Sequence, residues 1–222
     1  MNESQNLRAS LLDKVNYDVN EARKCFNFIV GEDSCKAQRV NSINPRDYAD
    51  GVYICYNDGH NELYDGNNPK DDVRGIGLVV GSHSLCVSLE DIDDTILTNR
   101  DGKSDYGKYI SDWDLARMDY DGAENTKHIQ EIGTDIKLAD GEYIPSLGEL
   151  YLIYLHKYKI NKALSYVCGK QIADEWYWSS TESSAGSAWY LFLSSGYQGS
   201  NSKTSGQYRV RPVSAFQKAL TL

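Results

Sequence analysis

The sequence has little of what disulfide frameworks, zinc cages and membrane spans are built from. Its five cysteines stand far apart and form no CxxC pair, so ordinary reduced thiols are expected at Cys25, Cys35, Cys55, Cys86 and Cys168. The longest apolar runs, such as residues 76–80, fall far short of the roughly 20 residues that cross a bilayer. No membrane insertion is therefore predicted. Residues 1–5 have neither a basic stretch nor an apolar one, so no secretory signal peptide is visible.

Positive charge is also scarce in this chain of 222 residues. The 23 Lys and Arg stand against 32 Asp and Glu, which gives a formal net charge of −9. Binding to the phosphates of a nucleic acid or to anionic lipid requires the opposite balance, so neither partner is predicted. Phenylalanine is rare as well, with 4 residues against 17 tyrosines. An excess of tyrosine favours half-buried and surface-presented rings over a purely apolar core.

No catalytic constellation is present in the sequence. The four histidines lie far apart, outside any HExxH spacing, and are expected to be surface or packing residues: His60, His83, His128 and His156. Ser82 and His83 are adjacent, but the G-x-S-x-G pattern of a nucleophile elbow is missing. The glycines Gly75, Gly77 and Gly81 lack the strand-to-helix context of a dinucleotide site. The sequence therefore predicts no enzyme activity, no catalytic residue and no cofactor.

Aspartates are concentrated between residues 91 and 121. Carboxylate oxygens are the ligands that calcium prefers, but the spacing of these residues fits no EF-hand loop. We therefore expect a solvated acidic loop without a metal site, which contains Asp91, Asp93, Asp94, Asp101, Asp105, Asp119 and Asp121.

Local patterns predict a helical segment at the start of the chain and strands after residue 50. Apolar residues recur at three- and four-residue steps in residues 7–15, which favours a helix. Two hairpins follow. The first has a strand over 52–56 and the turn signal Asn57-Asp58-Gly59, and the second has strands over 75–80 and 84–89 around a turn.

Helices are predicted in the second half of the chain. A short one covers 124–132, and a clearer one begins at Ser146, where the Ser146 hydroxyl and the Glu149 carboxylate form a capping box. A further helical piece is expected over 161–167. The apolar stripe of the clearer helix is expected to be core, and it consists of Leu147, Leu150, Tyr151, Tyr154, Leu155 and Tyr158. The order of strands, helices and strands indicates an α+β fold with a mostly antiparallel sheet.

The C-terminal motifs resemble those of a known family. The segments YIPSLGEL (143–150), YWSSTE (177–182), Ala188-Trp189 and YRVRPV (208–213) follow one another as in bacterial and phage proteins with a C-type-lectin-like fold. Within that fold, in its formylglycine-generating-enzyme-like subtype, the chain is most similar to the variable proteins of diversity-generating retroelements. The resemblance is strongest over 124–216. We expect a helical attachment segment over 1–45 and a C-type-lectin-like domain over 46–222.

The resemblance implies a C-terminal variable region, here about 176–213. In such proteins adenine-directed mutagenesis rewrites AAC codons, whose products include Tyr, Ser, Gly, Thr, Phe, Leu and Ala but not Trp, Glu, Lys or Gln. The residues between 183 and 206 are compatible with this rule. Three residues there cannot arise from such codons and are expected to be fixed, namely Trp189, Gln198 and Lys203.

Strand alternation independently favours a binding face in the same region. Over 188–194 it places Trp189, Leu191 and Leu193 on a core face and Tyr190, Phe192 and Ser194 on the other. Tyrosine with serine and glycine is also the composition of antibody binding loops. A solvated hairpin with incidental aromatics is the alternative. The predicted ligand-binding residues are the aromatic anchors Tyr190, Phe192 and Tyr197, flanked by Ser183, Ser184, Gly186, Ser187, Ser194, Gly199, Ser200, Asn201, Ser202, Thr204, Ser205 and Gly206.

A fixed frame is expected to hold this face. Its buried supports are predicted to be Trp178, Trp189, Val210 and Val213, while Arg209 and Arg211 anchor their strand through carboxylates or carbonyls. The calcium-dependent sugar-binding triplets of animal C-type lectins are absent, so the resemblance does not extend to that activity. The region after Cys168 has no cysteine, so it also does not extend to formylglycine-generating chemistry.

The expected function is therefore receptor binding. Residues 183–206 are predicted to form a diversified face for a protein or glycan on a host or partner cell surface. The expected location is a phage tail or a bacterial surface, with the N-terminal segment attached to a virion or display partner. The alternative is a structural or adhesive surface domain of the same fold whose loops do not vary.

Overall fold

The structure is a computed structural model that describes residues 48–99 and 109–216. The predicted attachment segment 1–45 therefore lies outside the described residues, as do Cys25, Cys35, Asp101 and Asp105. The strands are β1 Gly51–Tyr56, β2 Asn61–Leu63, β3 Val73–Val80, β4 His83–Ser88, β5 Ile92–Thr95, β6 Glu142–Tyr143, β7 Trp176–Ser184, β8 Ser187–Phe192, β9 Tyr197–Ser202, β10 Tyr208–Val210 and β11 Val213–Ser214. The helices are α1 Trp113–Ala116, α2 Gly122–Ile132 and α3 Leu147–Tyr166.

The strands form two sheets. One has six strands in the order β2-β1-β3-β4-β11-β6, and every neighbouring pair is antiparallel. The other has five strands in the order β5-β10-β7-β8-β9, in which only β10 and β7 are parallel. Sheets rich in antiparallel pairs and three helices confirm the predicted α+β class for the part of the chain that is described.

Both predicted hairpins are present, and glycine permits their turns. Strands β1 and β2 are joined through Gly59, whose φ of 97° lies in the region that glycine adopts without strain. Strands β3 and β4 are joined by a two-residue turn in which Gly81 has a φ of 58°. Turn chemistry that is local in the sequence therefore determines the start of the six-stranded sheet.

Helix α3 begins as predicted but differs in length and in its buried side. The Ser146 N–H donates to Glu149 Oε2 at 2.7 Å, which completes the capping box. The helix continues to Tyr166, so the separate piece predicted over 161–167 is its last part. Leu155 and Tyr158 are 67% and 77% exposed, and their assignment to the core was wrong. Apolar residues occur on several sides of this helix, so periodicity alone did not select the side that packs against the sheets. Its buried residues after Leu150 are Leu152, Ile153, Ile160, Ala163 and Leu164.

Two apolar clusters cover opposite faces of the five-stranded sheet. The larger one joins α3 to the six-stranded sheet and to Tyr177, Trp189 and Leu191. The second lies on the other side of β7 and β8, where residues of α2 and of the segment before α3 contact Trp178 and Ala188. The sheet face on which the sequence analysis placed Tyr190 and Phe192 is therefore partly covered by these apolar side chains. Only its remaining part is available to a ligand.

Two aspartates of the expected acidic loop are buried. The Asp91 side chain is fully buried, and its Oδ1 accepts from Arg211 Nε at 2.6 Å. Asp119 is 9% exposed and accepts from the Thr181 hydroxyl at 2.6 Å. Buried carboxylates require such partners, which come from distant parts of the chain and were not visible in the sequence. Asp93, Asp94 and Asp121 are exposed as expected, but Asp93 and Asp94 lie in strand β5 and not in a loop.

Other predictions from residue type can be compared with the described ranges. Cys55 and Cys86 are buried free thiols, and Cys168 is an exposed one. Among the described residues, no group of three or more His, Cys, Asp or Glu is placed to hold a metal ion. No helix in residues 48–99 and 109–216 has the length and apolar character needed to cross a membrane.

Candidate binding face

Strands β7, β8 and β9 align aromatic residues in rows on one side of their sheet. Trp176 pairs with Phe192, which pairs with Tyr197, and in the next row Trp178 pairs with Tyr190, which pairs with Gly199. Because side chains alternate along each strand, these residues share a face. The predicted strand phase, with Tyr190 and Phe192 opposite Trp189, is therefore confirmed.

The indole of Trp176 lies at the centre of these rings. It stacks on Phe192 with 4.4 Å between ring centroids and 26° between planes. Its contacts with Tyr190 and Tyr197 are edge-to-face, at 5.1 and 5.9 Å. Both arrangements are favourable for aromatic pairs. We call Trp176, Tyr190, Phe192, Tyr197 and Tyr208 the aromatic face.

Tyr208 joins the aromatic face from β10, the strand parallel to β7. Its ring lies 4.7 Å from that of Tyr190, and its hydroxyl accepts from Asn201 Nδ2 at 2.8 Å. Partial burial, together with the neighbouring Tyr208 and Tyr197, raises the pKa of Tyr190 above its ordinary value. The Tyr190 hydroxyl is therefore a neutral donor and acceptor at physiological pH.

Exposure differs across the aromatic face. Tyr197 is 56% exposed, whereas Trp176, Tyr190, Phe192 and Tyr208 are half-buried. Trp178 lies in the same rows but is fully buried, and its indole N–H donates to the Thr95 carbonyl at 2.8 Å. Trp178 is thus a support of the face, as predicted. Trp189, Val210 and Val213 are also buried.

The three residues expected to be fixed within 183–206 are all buried, and each has a polar partner. The Trp189 indole N–H donates to the Ile110 carbonyl at 2.8 Å. Gln198 accepts from Arg117 Nε at 2.5 Å and donates to the Trp113 carbonyl at 2.9 Å. The hydrogen bonds of Trp189 and Gln198 therefore hold residues 110–117 against the opposite face of the sheet.

Lys203 is the third fixed residue and forms a buried ion pair. Its ammonium is 2.5 Å from Glu182 Oε1, and the two side chains are 0% and 8% exposed. No other residue between 183 and 206 carries a charged side chain. The surface of this region is therefore uncharged, in a chain whose net charge is −9.

Trp113 borders the aromatic face at Tyr197 from the other side of the sheet, where its ring lies 5.6 Å from that of Trp189, and no pattern in the sequence indicated it. Its indole is 40% exposed and lies 6.2 Å from the Tyr197 ring. The Arg117 guanidinium lies over the Trp113 ring and over the Tyr151 ring, at 5.7 and 4.8 Å from their centroids. Leu115 and Met118 are 59% and 69% exposed in the same segment. Trp176 and Tyr208 also belong to the aromatic face without having been predicted there, although their two-residue spacing from Trp178 and Val210 was a usable signal.

Arg209 and Arg211 anchor β10 and the residues after it, as predicted. The fully buried Arg211 binds Asp91 and donates to the carbonyls of Ser88 and Lys170 at 2.9 and 3.0 Å. Arg209 Nη1 lies 3.6 Å from Asp91 Oδ2, and the Arg209 side chain is 25% exposed. Asp91 also accepts from the Tyr177 hydroxyl at 3.1 Å, so one carboxylate connects β10 to β7.

The structure distributes the predicted flanking residues over different environments. Ser183, Gly199 and Gly206 are buried, so they are not surface contacts. Ser187, Ser200 and Ser202 are in phase with Trp189, on the opposite face from Tyr190. Asn201 is on the aromatic face. The others are exposed or half-buried in the turns at the strand ends, and they are Ser184, Gly186, Ser194, Thr204 and Ser205.

Comparisons with known proteins give limited information. No protein-family model matches the sequence, and no curated protein is similar to it. Among solved structures, a fimbrial protein from Bacteroides ovatus matches with a TM-score of 0.48 and 16% sequence identity. The match covers 76% of this chain and 49% of the fimbrial chain. A similarity of this degree carries no argument about fold or function. The C-type-lectin-like fold and the retroelement membership therefore stay predictions.

Proposed function

We propose that this protein is a non-enzymatic ligand-binding protein of a phage tail or bacterial surface, and that the aromatic face is its binding surface. The ligand is a protein or glycan on another cell. The residues of 183–206 that reach the surface around this face are the diversified ones. Trp176 and Tyr208 are constant contacts within this face, and Trp113 is a constant contact at its edge beside Tyr197.

One observation carries the proposal. Five aromatic rings meet at a partly open part of a sheet, and hydrogen bonds from Trp189 and Gln198 hold residues 110–117 against its other face. Aromatic rings on a rigid support supply contact area at low entropic cost, and a few of them commonly carry most of the energy of an interface. The three residues of 183–206 that AAC mutagenesis cannot produce, Trp189, Gln198 and Lys203, are all buried, as the resemblance implies for fixed residues.

A non-diversified structural or adhesive domain is the second candidate. It is favoured by the close mutual fit within the face, where Phe192 stacks on Trp176 and Tyr190 lies over Gly199. Rings that fit one another this closely are expected in a surface whose sequence does not vary and whose ligand stays the same.

The test is binding of the fluorescently labelled protein to a panel of gut bacterial cells, measured by flow cytometry. The double variant Tyr190→Ser/Phe192→Ser should lose at least about 30-fold in affinity for the cells that the natural protein binds, since it removes two anchors. Its melting temperature should fall by less than about 10 °C, because both rings are only half-buried.

Two further variants keep the result interpretable. Tyr158→Ser removes a ring that is 77% exposed on α3, away from the face, and should leave binding and melting unchanged. Tyr197→Ser removes the most exposed anchor and should weaken binding without affecting the fold. Full affinity in both the double variant and Tyr197→Ser would place the binding surface elsewhere and refute the proposal.

A further inference from the structure

Gly199 occupies the position across from Tyr190 on the edge strand β9. We propose that residue 199 determines ligand specificity without touching the ligand, because the size of its side chain decides where the Tyr190 ring lies. This inference rests on the proposed binding function of the aromatic face.

The Tyr190 ring occupies the space that a side chain at 199 would need. A β-carbon on Gly199 would lie 2.4 Å from Tyr190 Oη and 2.6 Å from Cζ, well inside van der Waals contact. Gly199 has no positive φ, so its backbone conformation is open to any residue. Glycine is therefore needed here for space alone, and an aromatic ring that covers a glycine on an edge strand is a favourable arrangement.

The Tyr190 ring can move, and its movement would change the face. The atoms nearest to Gly199 belong to the far end of a side chain that rotates about two bonds. A β-carbon at 199 would turn this ring away from β9 and out of its contacts with Trp176 at 5.1 Å and Tyr208 at 4.7 Å. The central part of the aromatic face would then present a different shape to a ligand.

Gly206 is a matched control within the same region. Its β-carbon would lie 2.8 Å from Trp178 Cζ2, and this glycine also has no positive φ. Trp178, however, is fully buried and hydrogen-bonded to Thr95, so it cannot turn outward. A side chain at 206 must disturb the core, whereas a side chain at 199 only displaces a half-buried ring.

The experiment compares Gly199→Ala and Gly206→Ala in protein labelled with 3-fluorotyrosine. The fluorine resonance of Tyr190, assigned with Tyr190→Phe, should shift in Gly199→Ala while the melting temperature stays within about 3 °C of the natural value. Gly206→Ala should lower the melting temperature by more than about 5 °C, since it overpacks a buried site. An unshifted Tyr190 resonance in Gly199→Ala would overturn the inference whatever the binding result.

Specificity is tested on the bacterial cells that the natural protein binds. Gly199→Ala should weaken binding at least about tenfold, but it should have less than about a twofold effect in a Tyr190→Ser background. An equal loss in both backgrounds would show that residue 199 acts independently of Tyr190. A shifted ring with unchanged affinity would refute the specificity role and leave the proposed function intact. If instead the Tyr190→Ser/Phe192→Ser variant binds fully, the proposed function fails, and the fluorine spectra still decide whether residue 199 positions the ring.

Discussion

At the scale of single residues, burial separates the supports of the aromatic face from the exposed residues of the neighbouring strand β9. Trp189 and Gln198 are buried on the sheet face opposite the aromatic face, whereas Tyr197 and Ser200 are exposed. Substitutions at these two groups should therefore differ mainly in their effect on the free energy of unfolding.

Trp189→Ala is expected to lower the free energy of unfolding by about 3–5 kcal/mol, because it leaves a cavity and removes a hydrogen bond to Ile110. Ser200→Tyr lies on the same strand face at the exposed edge and should change it by less than about 0.5 kcal/mol. Denaturant unfolding of both variants checks this. The opposite order of stabilities would contradict the assigned burial.

Lys203→Met should also destabilise the protein strongly, by about 3–5 kcal/mol, since it deprives the buried Glu182 carboxylate of its ammonium partner. The double variant Lys203→Met/Glu182→Gln removes the buried charge and should recover part of this loss. Chemical denaturation of the single and double variants measures the difference. If the double variant is no more stable than the single one, the ion pair is not the cause.

At the scale of elements, the start of α3 is the junction between helix, sheet and the 110–121 segment. The Ser146 hydroxyl lies 2.7 Å from the Asp119 carbonyl and 3.0 Å from Glu149 Oε2. The Ser146 hydroxyl has one proton, which can be donated to only one of these two acceptors. A protonated Glu149 supplies the second proton by donating to the Ser146 oxygen, so both contacts become hydrogen bonds. Burial, with the nearby Asp119 carboxylate, raises the pKa of Glu149 to about 7, against the hydrogen bonds from Ser146 and Tyr143.

The stability contributed by Glu149 should depend on pH in the sense opposite to acid denaturation. Its pKa is higher in the folded protein, about 7, than the ordinary value of 4.5, so the folded state binds the proton more tightly. The contribution is complete below about pH 4.5 and is lost as the pH rises through 7. Relative to Glu149→Gln, the natural protein should therefore lose on the order of 2–3 kcal/mol between pH 5 and pH 8.

Unfolding by denaturant at several pH values, for the natural protein and Glu149→Gln, measures this difference. Glu175→Gln, which changes an exposed carboxylate, is the matched control. A natural protein and a Glu149→Gln variant whose stabilities stay parallel would mean that Glu149 is ionised throughout.

At the scale of the whole molecule, charged side chains are unevenly distributed along the chain. The chain has a net charge of −9, but the surface formed by 183–206 has no charged side chain apart from the buried Lys203. Attraction between an uncharged surface and its ligand is little affected by salt, which screens exposed charges. Cell binding by the natural protein should therefore change less than about threefold between 50 and 500 mM NaCl, and a steep salt dependence would indicate a charged contact surface elsewhere.

The diversified and non-diversified hypotheses differ at the genomic locus. Diversification predicts a reverse transcriptase gene and an adenine-rich near-copy of the coding sequence for 183–206 close by. Among diversified copies, large residues at 190 should accompany glycine at 199, because the two compete for one space. Sequencing the locus decides this. A locus without the reverse transcriptase gene and the adenine-rich near-copy would favour the structural or adhesive alternative.

The sequence by itself determined the features that depend on neighbouring residues. The hairpin turns at Gly59 and Gly81, the capping box of α3 and the strand phase of Tyr190 follow from turn chemistry and periodicity, which act over a few residues. Only the tertiary structure decided which side of α3 is buried, that Asp91 pairs with Arg211, that Trp113 meets Tyr197 and that Gly199 lies under Tyr190. Each of these depends on segments that are distant in the chain or on strand register, and packing between such segments leaves no periodic signal in the sequence.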